Sequence, residues 1–100
     1  MEAEYIDKPS AHPTQAIRKN PTFFDAVTDL AILARRHQSD TSGHMTPEFK
    51  REYELIADRL HAVGGLLAMQ AAAEYLGVLG GDYVRSDIDR GFDGCHGWVR

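Results

Sequence analysis

The chain holds a single cysteine, Cys95, in 100 residues. No disulfide can form within it, which excludes the disulfide-stapled secreted scaffolds and favours a reducing compartment. It also lacks any block of like charge. Lys and Arg number 11 against 15 Asp and Glu, for a formal net charge of −4. The adjacent basic pairs Arg18-Lys19, Arg35-Arg36 and Lys50-Arg51 each have acids nearby. Binding to a phosphate backbone needs clustered cations that release counterions, so nucleic acid is not an expected direct partner. The acids are just as scattered, too sparse for a surface that imitates DNA.

Long apolar runs are missing as well. The stretch 63–79 is broken by Gly64, Gly65, Gln70, Glu74 and Gly77, so no membrane span is expected. Met1-Glu2-Ala3-Glu4-Tyr5 has neither the basic nor the apolar region of a secretory signal. The expected location is cytoplasmic. Gly64-Gly65 and Gly80-Gly81 lack the spacing and the following Lys-Ser/Thr of a phosphate-binding loop, and no cofactor is expected. There is no internal repeat.

What the chain does have is helical periodicity. Asn20-Pro21 is a helix start, with Asn as N-cap and Pro in the first position. Phe23, Phe24, Val27, Leu30, Ala31 and Ala34 share the face that follows. Arg35, Arg36 and His37 suit the negative end of the helix dipole, and the helix should stop near His37 or Gln38. A polar loop is expected over 39–43. Thr46-Pro47-Glu48 opens a second helix. Phe49, Tyr53, Ile56, Leu60, Val63 and Leu67 then recur at spacings of four and three, a single apolar stripe. On the outer face, Lys50 and Glu54 are placed to attract weakly.

Gly64-Gly65 is the ambiguous point of this second helix. Two glycines cost about 2 kcal/mol of helix propensity relative to alanine. Gly64, Ala68 and Ala72, four apart, form a small-residue ridge that permits close helix contact. A continuous or kinked helix is expected, ending at Gly77 as the C′ residue. The predicted fold is all-α, a small helical bundle or helical hairpin. An N-terminal arm over 1–19, anchored by Ile6 and Ile17, precedes a helical core over 20–79. An irregular Gly/Asp-rich tail over 80–100 follows, pinned by its aromatics, with one helical turn near 86–89.

Candidate chemistry is thin. Asp87, Asp89 and Asp93 lie close together and are followed by Cys95-His96, a first candidate for a metal site. Counted from Asp87, Gly91 and Phe92 fall where a calcium loop needs an oxygen ligand and a glycine. The cluster also falls short of the four spaced N/S ligands of a zinc site. Cys95-His96 is the only thiol–imidazole pair, and sequence adjacency does not bring the two within hydrogen-bond reach. Glu52 and Glu74, beside Tyr53 and Tyr75, are read as solvated carboxylates, and His61 as a boundary residue.

The helix faces carry the functional expectation. A 30-residue helix would be about 45 Å long, more than a chain this small can cover. Phe49, Tyr53, Ile56, Leu60, Val63, Gly64, Leu67, Ala68 and Ala72 are therefore the expected surface for a protein partner or a homodimer. The predicted protein is a non-catalytic binding module, an inhibitor, adaptor or regulatory subunit. Its size and style suit a phage or mobile-element protein that blocks a host defence complex. A small metal or cysteine enzyme using the C-terminal Asp/Cys/His residues is one alternative. The other is a helical transcriptional regulator, although no helix is basic enough for recognition.

Overall fold

The computed structural model describes residues 17–99, which form three long helices and no strand. The all-α bundle predicted from the periodicity is present. Most of the expected arm, including Ile6, lies outside the described residues. Ile17 lies within them and is buried.

α1 spans Pro21–Thr41. The Asn20 side chain accepts a hydrogen bond from the Thr22 N–H at 2.8 Å, and Pro21 occupies the first turn, where its missing N–H costs nothing. The helix continues a turn beyond the expected stop at His37–Gln38, so 39–41 are helical rather than loop. Two local bonds explain the extension. The Thr41 hydroxyl donates to the His37 carbonyl at 2.7 Å. Ser42 then turns left-handed (φ 55°), and its N–H donates to the Gln38 carbonyl at 3.0 Å.

α2 spans Pro47–Gly80, with the Thr46 hydroxyl accepting from the Phe49 N–H at 3.2 Å. The backbone leaves helical geometry at Gly64 (φ −160°, ψ 26°) and Gly65 (φ 68°, ψ −158°). The expected kink is thus a full break, dividing α2 into limbs 47–63 and 66–80. Gly65 occupies a region that a Cβ forbids. Gly64 serves close approach, since a Cβ there would come within 2.9 Å of Ile17. The helix does not end at Gly77 as expected. It runs on to Gly80, where Gly81 (φ 84°) turns the chain and donates its N–H to the Gly77 carbonyl at 2.8 Å.

The first limb packs antiparallel to α1. Arg59 pairs with Asp29 at 2.7 Å and Arg36 with Glu52 at 3.0 Å. Successive partners are seven residues apart on both helices, in opposite directions, as an antiparallel register requires. Such exposed pairs contribute about 0–1 kcal/mol each, so they mark the register more than they stabilise it.

The tail is where the prediction fails most clearly. Residues Asp82–Phe92 form α3, not an irregular segment with one turn. Val84, Ile88 and Phe92, four apart, face the core, and Asp82 and Arg90 match the helix dipole at opposite ends. Beyond it, Trp98 packs edge-on against Phe92, with centroids 5.1 Å apart. The core gathers Leu30 and Leu33 from α1, Tyr53 and Leu60 from the first limb, Met69 and Ala72 from the second, and Ile88 and Phe92 from α3.

By length and composition α2 is apolar enough to cross a membrane. The break leaves a second limb of about 22 Å, short of the ~30 Å hydrocarbon core. That limb also turns Ala68, Met69, Ala72, Ala73 and Leu76 into the protein interior.

Candidate functional site

The predicted stripe points inward. Phe49, Tyr53, Ile56, Leu60, Ala68 and Ala72 are all buried within this same chain. Val63 is partly buried against the core, and Gly64 is half-buried beside Ile17. Of the nine residues assigned to a partner surface, Leu67 alone is exposed. The break at Gly64-Gly65 is the physical reason. It folds the second limb back, so that α1, the second limb and α3 cover the stripe.

A polar centre joins the three helices. His37 of α1 is fully buried, tilted against Phe49 at 5.1 Å and edge-on to Tyr53 at 5.7 Å between ring centroids. Its Nε2 lies 3.1 Å from the His44 carbonyl. A carbonyl only accepts, so Nε2 carries a hydrogen. Nδ1 then faces the Tyr53 hydroxyl at 3.4 Å and Asp87 Oδ2 at 3.5 Å. The other Asp87 oxygen pairs with the Arg90 guanidinium. Burial, reinforced by the Asp87 carboxylate and partly opposed by Arg90, pushes the Tyr53 phenol well above its ordinary range. Tyr53 therefore stays neutral and can donate to His37.

Lys50 adds a second tie. Rather than pairing with Glu54 on the outer face, its ammonium crosses to the end of α3. It donates to the carbonyls of Arg90 (3.1 Å), Gly91 (2.9 Å) and Asp93 (2.6 Å). A cation at a helix C-terminus satisfies carbonyls that have no partner in the helix and opposes the dipole. His37 and Lys50 thus hold structural positions that dipole and surface arguments miss.

The C-terminal cluster disperses. Asp87 faces His37 and Arg90, and Asp89 pairs with Arg85 at 3.3 Å. Asp93 offers its backbone carbonyl to Lys50. His96 reaches away to Asp58 at 2.7 Å and stacks on His61, with centroids 4.1 Å apart. Cys95 is half-buried, and burial pushes its thiol up despite the opposing charge of Lys50. Among the described residues no group of three or more His, Cys, Asp or Glu side chains is placed to hold a metal ion. Glu52 is taken up by Arg36, and Glu74 is exposed.

What the fold leaves open lies elsewhere. A groove of about 770 Å³ runs between α1, the second limb and the start of α3. Ala31, Ala34, Leu76, Leu79 and Val84 make it apolar, Arg35, Gln38 and Ser39 give it a polar edge, and Tyr83 stands 77% exposed beside it. On the outward side of the same limb, Leu67, Tyr75 and Val78 are exposed, Val78 at 85%. The sequence carried a signal for this surface. Glu74 is the only charged residue in 66–80, so the limb is apolar on nearly every side and cannot bury all of them against one core. No protein family, curated protein or solved structure matches the chain.

Proposed function

We propose that this protein is a non-catalytic binding module that acts stoichiometrically on another protein, as an inhibitor, adaptor or regulatory subunit in the cytoplasm. The observation that supports the reading is the apolar groove between α1, the second limb of α2 and α3, with Tyr83 exposed at its edge. An apolar floor with a polar margin suits a row of apolar side chains from a partner's amphipathic helix. Tyrosine is among the residues that most often anchor interfaces once a partner covers it. The small size fits a phage or mobile-element protein that occupies a surface of a host defence complex. The groove replaces the residues of the inward-facing stripe as the docking surface.

The test is affinity capture by the full chain from a host-like lysate, run beside Tyr83→Glu. Tyr83 packs little against the fold, so the variant should keep its helical circular dichroism. A partner retained in one-to-one ratio by the parent and depleted at least tenfold by the variant is the expected result. Capture indifferent to Tyr83→Glu, or no stoichiometric partner, overturns the reading.

A further inference from the structure

We infer that the groove is covered by a segment of this same chain, residues Glu2–Asp7, which a protein partner has to displace. The inference rests on the reading of the groove as a docking surface and adds how that surface is regulated. Around Gln38, Tyr83 and Asp87 the groove runs on into a hollow of about 410 Å³, lined also by Ser42, Ser86 and Arg90. The charged side chains along both parts are Arg35, Asp87 and Arg90. Asp87 is buried, with one oxygen on Arg90 and the other facing His37. Arg35 is exposed, and Arg90 keeps 37% of its side chain open. The charge that an occupant meets is therefore positive, although the chain as a whole carries −4. A complementary occupant brings apolar side chains to Ala31, Leu76, Leu79 and Val84, and carboxylates to the two arginines.

Glu2-Ala3-Glu4-Tyr5-Ile6-Asp7 has that chemistry. Two large apolar side chains, Tyr5 and Ile6, are set among three acids, with no cation. These residues lie outside the described ones, and the chain joins the described structure at Ile17. Ile17 packs beside Gly64, just before the second limb begins. From Gly64 to Leu76 the limb advances about 18 Å, and α1 advances about 25 Å from Pro21 to Gln38. Asp7 stands ten residues before Ile17, a connection that spans up to ~35 Å. The whole groove is within that reach. A short tether also presents the segment at an effective concentration on the order of millimolar, so modest complementarity keeps the groove covered. A free partner has no such advantage and must win on contacts.

Photo-crosslinking of the full chain carrying Tyr83→p-benzoylphenylalanine identifies the occupant. Tyr83 is 77% exposed, so the helical circular dichroism should be kept. The expected product is a crosslink within one chain, from position 83 to residues 2–7, mapped by peptide mass spectrometry. Its yield should not depend on protein concentration. Removing two apolar anchors weakens docking by roughly a hundredfold. Tyr5→Ser combined with Ile6→Ser should therefore lower the yield at least fivefold. Arg35→Glu should lower it too, and Glu2→Lys with Glu4→Lys should restore it in that background. Crosslinks confined to other residues overturn the inference, as does a yield that the serine variants leave unchanged. So does a crosslink between chains that grows with concentration, which would put a second copy in the groove. Lysate capture keeps the two proposals apart. A 2–7 crosslink without any stoichiometric partner counts against the docking reading alone. A partner captured no better by the double serine variant than by the parent counts against the covering segment alone.

Discussion

Gly91 of α3 lies directly against the ring of Tyr53, so closely that a Cβ on Gly91 would run into the ring atoms. The ring has nowhere to go. Tyr53 is fully buried, with His37 edge-on to it on one side and Phe92 edge-on on another, at 5.7 and 6.4 Å between centroids. Gly91→Ala must therefore push α3 away from the first limb. Overpacking of this kind costs about 1–3 kcal/mol, and the constrained ring places this site toward the upper end. Urea unfolding followed by circular dichroism reads the loss. A change below about 0.5 kcal/mol, the range of ordinary surface substitutions, would mean that α3 is not seated on Tyr53.

The same tyrosine gives the protein a limit at alkaline pH. Its phenol is held protonated by burial first and the Asp87 carboxylate second, while an unfolded tyrosine ionises near pH ~10. Below that pH both states keep the proton, and the group contributes nothing pH-dependent. Above it, the unfolded chain releases a proton that the folded chain retains. Unfolding is then favoured by up to about 1.4 kcal/mol per pH unit. Tyr53→Phe removes the group while leaving the ring, at a cost of about 1 kcal/mol for the lost hydrogen bond to His37. Urea midpoints of parent and variant should converge as pH rises from 9 to 11. Parallel curves would contradict the buried phenol.

Lys50 supports a local prediction. Its ammonium serves three carbonyls at and just beyond the end of α3. Lys50→Met keeps much of the apolar stem and removes the donors. The expected loss is about 1–3 kcal/mol, as for other charge-assisted bonds. The damage should be concentrated after Phe92. Hydrogen exchange at 94–98 should quicken, and Trp98 emission should shift to the red as its packing on Phe92 loosens. Uniform loss of protection across α1 and α2 would point to a global role instead.

The legible parts of this fold are those whose causes are local. Asn20-Pro21 and Thr46-Pro47 carry their caps within three residues, so both helix starts could be read directly. Gly64-Gly65 could be read as a weak point because two glycines are costly in any helix. The stripe from Phe49 to Leu60 could be read as buried, since periodicity reports that a face is covered. It does not report by what, and here the cover is the folded-back limb and α3 rather than a partner. α3 stayed hidden because it is short, rich in charge and flanked by glycines. Its apolar content reduces to Val84, Ile88 and Phe92, which mean little until the core that receives them is known. His37 already had an explanation in the helix dipole, and only the closure of Asp87 and Tyr53 around it reveals its place.

Cys95 decides whether any residual case for thiol chemistry survives. An activated cysteine has a lowered pKa and a partner that takes its proton. Here burial raises the thiol's pKa, Lys50 pulls it partly back, and the carboxylates of Glu54, Asp58 and Asp93 raise it further. The neighbouring imidazole of His96 is turned to Asp58 and stacked on His61. Alkylation by iodoacetamide at pH 8 should therefore be slower in the folded protein than in the same chain unfolded in urea. The rate should reach half its maximum at a pH above that of an ordinary free thiol, ~8.5. Asp58→Asn removes one of the raising charges and should move that midpoint down. A folded protein that reacts faster than the unfolded chain would show an activated thiol and reopen the cysteine-enzyme reading.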